Sequence, residues 1–170
     1  VIMPVTSIQL THKALGQQMP SGHERLDKFL GGGYRRGSSV LITGRTGAGK
    51  TTVACTFTAS ACQRGERVLY LGFEESGDAM VSAMLSAGLD LRPRLKDGSL
   101  DILTAMPESM GAEQHLLRVI HALERHRPQH LIVDAISATK RMGSSQTAFD
   151  FLVRLLSLCK ARAITCFFVN

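Results

Sequence analysis

Residues 44–51 read GRTGAGKT and fit the spacing Gly-x-x-x-x-Gly-Lys-Ser/Thr. An apolar run at 38–43 precedes them and predicts a buried strand, and residues 50–63, which lack glycine and proline, predict a helix. Glycines let the backbone turn tightly and aim successive N–H groups at one point, where the positive end of the new helix adds to their field. The stretch therefore predicts a loop that binds phosphate groups; the alternative is a glycine-rich turn that leaves Lys50 exposed.

Two residues of this stretch and one later residue predict a site for a nucleotide with Mg²⁺. Lys50 supplies a point charge for the β- and γ-phosphates, and the Thr51 hydroxyl is a ligand for Mg²⁺. Asp134 follows the apolar run at 131–133, so its carboxylate lies at the carboxyl end of a buried strand, where open parallel sheets bind ligands. We expect Asp134 to be the second magnesium ligand; the alternative is that it caps a helix or turn.

Two adjacent carboxylates, Glu74 and Glu75, end the strand predicted at 67–73. A carboxylate at this edge can orient or deprotonate an attacking water or hydroxyl group. Adjacent residues on a regular strand point to opposite sides, so at most one of the two can face the phosphates in that geometry. We rank Glu74 as the catalytic base and Glu75 as its helper on the magnesium side. The alternative is that Glu75 or Ser76 only caps the next helix.

Strands and helices alternate along the chain after this first unit. Further strands are predicted at 67–73, 100–103, 130–134 and 163–169, and further helices at 77–87, 112–127 and 146–162. The strands are nearly continuous apolar runs, which is typical of strands that are buried on both sides. The pattern therefore predicts an α/β fold, with a mostly parallel sheet and helices on both faces.

The two ends of the chain differ from its middle. Residues 1–20 show no lasting periodicity, so we expect a lead-in or interdomain linker there, in which 6–10 could form a short strand, and a domain at 21–170. The last predicted strand ends at the final residue. Because buried parallel strands normally lie inside a fold, we expect the domain to be truncated at the C-terminus.

Composition and charge argue against several classes of protein. With 44% hydrophobic and 20% charged residues, the 170-residue chain is unlike collagen, a coiled coil or a low-complexity sequence. No apolar run approaches the roughly 18–20 residues that span a bilayer, so we expect no membrane segment. The net charge of +6 is spread along the chain without interleaved aromatic residues, which argues against a nucleic-acid partner.

The cysteines indicate the cellular compartment. None of the four forms a Cys-x-x-Cys pair, and each lies in an apolar segment: Cys55, Cys62, Cys159 and Cys166. We expect buried reduced thiols and a cytoplasmic protein.

These features together resemble the KaiC family of circadian-clock ATPases, within the RecA superfamily of P-loop NTPases. The resemblance covers about residues 20–170 and is closest to the second of the two ATPase domains of KaiC, the autokinase half. The motifs that carry it are, in chain order, SG at 21–22, RLD at 25–27, GGG at 31–33, RGS at 36–38, GRTGAGKT at 44–51, GERVLY at 65–70, FEES at 73–76, PES at 107–109, LIVD at 131–134 and SA at 137–138.

Similarity to this family implies an ATP-binding and ATP-hydrolysing module that acts as a Ser/Thr autokinase in the full-length protein, with Glu74 and Glu75 as the base. It implies a homo-oligomer, usually a hexameric ring, and partners among clock or signalling proteins. ATP would lie between protomers and be held by Thr46, Gly47, Ala48, Gly49, Lys50, Thr51 and Thr52. The family's phospho-acceptor pair and its basic residues that act across the subunit boundary lie downstream of Asn170, outside this chain. Two alternatives remain open: a RecA-like DNA recombinase or helicase motor, and a non-catalytic, ATP-gated signalling scaffold.

Overall fold

The computed structural model describes residues 16–170, so the short strand considered at 6–10 lies outside the described residues. The strands are β1 (Gln18–Met19), β2 (Tyr34–Arg35), β3 (Ser39–Ile42), β4 (Val68–Gly72), β5 (Leu100–Thr104), β6 (His130–Asp134) and β7 (Thr165–Val169). The helices are α1 (Glu24–Phe29), α2 (Lys50–Gln63), α3 (Gly77–Ser86), α4 (Arg92–Lys96), α5 (Ala112–His126) and α6 (Ser145–Ala161). Two 3₁₀ helices follow β5 and β6, at Pro107–Ser109 and Ile136–Met142.

A five-stranded parallel sheet forms the centre of the domain, in the order β3-β7-β6-β4-β5. The predicted α/β fold with a mostly parallel sheet is confirmed. In the register of the sheet, Gly72 at the end of β4 lies opposite Thr104 of β5 and Asp134 of β6, and Asp134 lies opposite Val169 of β7. The carboxyl ends of these strands therefore share one edge, at which the predicted site residues follow β3, β4 and β6.

Hydrophobic clusters cover both faces of the sheet, as predicted. Side chains of β4 alternate between the faces, so Val68 and Tyr70 pack with Phe57 of α2, whereas Leu69 and Leu71 pack with residues of α5 and α6 such as Leu155. All four cysteines are free and buried, as predicted from their apolar surroundings. Among residues 16–170, none of the helices has the length and apolar character needed to cross a membrane.

An antiparallel pair of two-residue strands, β1 and β2, precedes the sheet and was not predicted, because two residues are too few to show a period. Met19 pairs with Tyr34, and the Met19 side chain is 1% exposed within the cluster that also contains Phe57. Gly33 makes the close approach possible: its φ is +107°, and a Cβ there would collide with the Met19 carbonyl. The packed part of the chain thus includes Met19, ahead of the boundary that we expect at residue 21.

Four polar side chains form a cluster at the opposite edge of the sheet from the site residues. His130, which begins β6, is fully buried, and its Nε2 lies 3.0 Å from Glu66 Oε2. Arg64, at the end of α2, donates to the same oxygen at 3.0 Å, and Arg36, after β2, pairs with the other oxygen of Glu66. The cluster therefore ties the N-terminal strand pair, α2 and β6 together.

We expect His130 to make the free energy of unfolding depend on pH. Burial, which outweighs the opposing effect of Glu66, lowers the pKa of His130 from 6.5 to about 4. Below pH 6.5 the histidine is therefore protonated in the unfolded chain but stays neutral in the folded chain. The contribution of His130 to the free energy of unfolding is complete above pH 6.5 and is lost as the pH falls towards 4. The loss amounts to about 3 kcal/mol at pH 4.

Denaturant unfolding of the wild type and of His130→Gln, at a series of pH values from 7.5 to 4, measures this contribution. Glutamine keeps a polar group beside Glu66 but has no proton to gain, so the pH dependence of the variant should be shallower in this window. The same pH dependence in both proteins would contradict the assignment.

Candidate nucleotide-binding site

The glycine-rich loop lies between β3 and α2, and α2 begins at Lys50 and ends at Gln63, at the predicted positions. Gly47 and Gly49 have φ values of +79° and +82°, in the left-handed region that side chains disfavour. Within the described residues, no side chain caps the start of α2. The first N–H groups of this helix are thus free to bind an anion.

The Lys50 side chain folds back across the loop. Its Nζ donates hydrogen bonds to the carbonyl oxygens of Gly44 at 2.8 Å and Arg45 at 3.0 Å. An ammonium group has three hydrogens, so one remains for a further acceptor. The ammonium charge of Lys50 therefore lies at the centre of the loop. Thr46, Gly47 and Ala48 are exposed at the tip of the loop, and Thr52 lies half-buried in the first turn of α2.

Thr51 and Asp134, which are 83 positions apart, are in direct contact. Thr51 Oγ1 donates a 2.7 Å hydrogen bond to Asp134 Oδ2. This bond joins the first turn of α2 to the end of β6, although β7 lies between β6 and β3. Asp134 is only 8% exposed and its oxygens cap no helix, so the capping alternative does not describe it.

A third group completes this contact: Tyr70 of β4 donates to the same Asp134 oxygen at 2.6 Å. Burial is the largest cause of a pKa raised above the ordinary value of a tyrosine, with the Asp134 charge among the further causes. Sequence reasoning missed this residue as part of the site. A hydroxyl in an otherwise apolar buried strand was the available signal, because a buried phenol needs an acceptor.

Glu74 and Glu75 lie beyond the end of β4, which stops at Gly72, and so they are not on a regular strand. Both residues line one small cavity together with Thr51 and Asp134. The rule that neighbouring side chains diverge holds for a regular strand, so it does not apply to this turn. The helix-capping role belongs to Ser76, whose hydroxyl accepts a 3.2 Å hydrogen bond from the Ala79 N–H. Neither glutamate therefore caps α3.

The carboxylates interact with one another. Burial, followed by the negative charges of Asp134 and Glu74, raises the pKa of Glu75. Burial, followed by the charges of Asp134 and Glu75, raises the pKa of the Cys55 thiol to about 12, so that thiol stays neutral.

The oxygen groups around this cavity could supply part of the ligand set of Mg²⁺. The cavity encloses about 30 Å³, enough for one water molecule or a small ion. Across residues 16–170, His, Cys, Asp and Glu side chains form no group of three that could hold a metal by themselves. Mg²⁺ commonly binds through one or two protein oxygens together with phosphates and water. Thr51 and Asp134 can supply such a partial set.

Arg141 is a second residue that sequence reasoning missed. It lies in the 3₁₀ helix after β6, and its Nη2 donates to the carbonyl oxygen of Phe73 at 3.1 Å. Its Nε lies 3.5 Å from a carboxylate oxygen of Glu108, in the preceding 3₁₀ helix. Arg141 therefore links both 3₁₀ helices to the turn that carries Glu74. No local sequence pattern predicts a contact across 68 positions.

Comparison with known proteins identifies relatives over nearly the whole chain. Residues 19–170 match the family model described as the KaiC ATPase. The chain is 36% identical to the circadian clock protein KaiC2 of Synechocystis sp. over 99% of its own length and 30% of that protein. It is 37% identical to the circadian clock oscillator protein KaiC of Parathermosynechococcus lividus, over 99% of the chain and 31% of that protein. For KaiC3 of Synechocystis sp. the identity is 32%, over 96% of the chain and 32% of that protein. The chain thus spans about a third of the length of these curated relatives.

Proposed function

The chain belongs to the KaiC family of ATPases, and from this premise we propose that it binds ATP with Mg²⁺ and, in the full-length protein, hydrolyses ATP and transfers its γ-phosphate to serine or threonine. The observation that carries the proposal is the 2.7 Å contact between Thr51 and Asp134. It joins the start of a helix with free N–H groups to a buried carboxylate at the carboxyl edge of the sheet. A glycine-rich turn without a ligand has no need of such a contact.

The triphosphate is proposed to lie in the loop, against the uncapped start of α2. Backbone N–H groups of Gly47 and Gly49 would surround the phosphate oxygens, and that of Ala48 would join them by leaving its 3.1 Å hydrogen bond to the Arg45 carbonyl. Lys50 would offer the hydrogen that the loop carbonyls do not use. Thr46 and Thr52 flank this arrangement. Thr51 and Asp134 would hold Mg²⁺, which would neutralise negative charge on the phosphates when bound.

Glu74 is proposed as the catalytic base and Glu75 as its helper on the magnesium side. Both residues line the cavity that Thr51 and Asp134 also line, which supports a role for them at this site. Glu74 would accept the proton of the attacking water or hydroxyl oxygen. A new bond to the γ-phosphorus forms while its bond to the bridging oxygen breaks, and ADP leaves with the electron pair.

We also propose that the full-length protein forms a homo-oligomeric, hexameric ring in the cytoplasm, with clock or signalling proteins as partners. Support comes from the relatives, which are named as circadian clock proteins. The exposed loop tip and the exposed glutamates are accessible to a neighbouring subunit, and the four free buried cysteines fit a reducing compartment.

Incubation of the full-length protein with ATP labelled at the γ-phosphate separates the proposed activities. We expect Mg²⁺-dependent formation of ADP that stops when EDTA removes the metal, and label in the protein as phosphoserine or phosphothreonine. Free phosphate without labelled protein would reduce the proposal to an ATPase. Nucleotide binding without any ADP would contradict it and favour an ATP-gated scaffold.

A further inference from the structure

Tyr70 donates one of two hydroxyl hydrogen bonds to a single oxygen of Asp134. Tyr70 OH and Thr51 Oγ1 approach Asp134 Oδ2 to 2.6 Å and 2.7 Å, from β4 and α2 respectively. Tyr70 is 3% exposed, so water does not compete for its hydroxyl. The other carboxylate oxygen, Oδ1, accepts no hydrogen bond from any residue in the described part of the chain. The two donors thus hold Asp134 Oδ2 and leave Oδ1 for a ligand.

The register of the sheet explains how the Tyr70 hydroxyl reaches Asp134. Gly72 lies opposite Asp134 in the parallel register, and Tyr70, two positions earlier, is on the same face of the sheet. Two residues of a strand cover about 6.6 Å, close to the reach of a tyrosine side chain. Gly72 lies beside the ring: a Cβ there would lie 3.6 Å from Tyr70 Cε1, an ordinary contact distance, and 3.2 Å from the Thr104 methyl group.

We infer that Tyr70 is a positioning residue for the magnesium site, an inference that rests on the proposed function. Thr51 can donate its hydrogen to Asp134 while its oxygen lone pair binds the metal. Tyr70 supplies the second, independent donor, so the carboxylate keeps its orientation and presents Oδ1 to the metal or to its bound water. Groups that hydrogen-bond a metal ligand orient it in this manner and strongly affect metal affinity.

Tyr34 provides a matched control within the same chain. It is the other of the chain's two tyrosines. Its ring packs edge-on against Phe57 and Phe167, in the cluster that also contains Tyr70. Within residues 16–170 its hydroxyl makes no hydrogen bond. Tyr34→Phe therefore removes a hydroxyl from the same side of the sheet without touching Asp134.

The test uses the full-length protein and a fluorescent ATP analogue, with binding measured as Mg²⁺ is added. For Tyr70→Phe we expect the half-saturating Mg²⁺ concentration to rise about tenfold. Affinity for the analogue in EDTA should stay within about twofold of the wild type, since within residues 16–170 the Tyr70 hydroxyl donates its hydrogen bond to Asp134 and not to the phosphate loop. Tyr34→Phe should leave both quantities unchanged, and thermal unfolding verifies that both variants are folded.

A double-mutant cycle decides whether Tyr70 acts through Asp134. In the Asp134→Asn background, Tyr70→Phe should produce less than about a twofold further shift in the Mg²⁺ requirement. An unshifted requirement in Tyr70→Phe, an equal shift in Tyr34→Phe, or a full tenfold shift in the Asp134→Asn background would each overturn the inference. If the wild type binds the analogue without any dependence on Mg²⁺, the proposed magnesium site fails and the role of Tyr70 fails with it.

Discussion

Lys50→Ala is expected to weaken ATP binding by the full-length protein by about 100-fold or more. A hydrogen bond to a charged partner contributes about 1.5–3 kcal/mol, and Lys50 is proposed to serve both the β- and the γ-phosphate. Alanine removes this charge and leaves the phosphates with neutral N–H donors alone. Equilibrium titration with ATP, in the presence of Mg²⁺, measures the change.

The fold should survive this substitution, because among residues 16–170 the Lys50 side chain bonds only to the carbonyls of Gly44 and Arg45. Both residues are exposed, so water can replace the ammonium group as their donor. Lys28→Ala is the matched control, since Lys28 is a highly exposed lysine that pairs with Glu24 on α1. Equal ATP affinity in the wild type and Lys50→Ala would refute the assignment of the loop.

Local sequence signals account for most of the sheet and for the first half of the site. The bounds of α2 match the prediction because Gly49 and Gly65 stand close to its two ends. Those of β6 match because Pro128 precedes the strand and its apolar run stops at Asp134. The loop glycines and Lys50 belong to one contiguous pattern. Asp134 was predictable because an apolar strand that ends in a carboxylate needs only the parallel sheet to place it at the ligand-binding edge.

Other features depend on contacts between distant positions, which local patterns do not contain. Strands β1 and β2 have two residues each, and α4 has five residues with a proline in its first turn, so none of them shows a measurable period. The bond from Tyr70 to Asp134 requires the register of β4 against β6. The contact between Arg141 and the Phe73 carbonyl requires the course of the 3₁₀ helix after β6.

The paired glutamates show how a geometric expectation depends on where a strand ends. The apolar run at 67–73 predicts a strand that reaches Phe73, directly before the two glutamates, and on a regular strand neighbouring side chains diverge. β4 ends at Gly72, however, and the following residues turn towards Ser76, the N-cap of α3. The position of the strand end decides whether both glutamates can line the same cavity as Asp134. A single sequence locates strand ends less well than strand centres.

Glu74→Gln combined with Glu75→Gln is expected to spare ATP binding and to lower turnover by about 10²- to 10⁴-fold in the full-length protein. Glutamine has the size of glutamate but no useful basicity, so it cannot take the proton of the attacking oxygen. Removing two negative charges beside Asp134 also relieves repulsion on the phosphates, so the affinity for ATP should stay equal or rise slightly. Single-turnover measurement of ADP and phosphoprotein, at saturating ATP, reports the chemical step.

The single variants test the division of roles between the two carboxylates. If Glu74 is the base, Glu74→Gln alone should reproduce nearly the whole loss, because the effects of residues that act as one unit do not add. Glu75→Gln should lose less turnover and should alter the Mg²⁺ requirement, since Glu75 is proposed to act on the magnesium side and the Asp134 charge, after burial, raises its pKa. Glu24→Gln, an exposed glutamate on α1, should match the wild type. Retained turnover in the double variant would reject the base assignment, and lost ATP binding would assign the two carboxylates to holding the nucleotide instead.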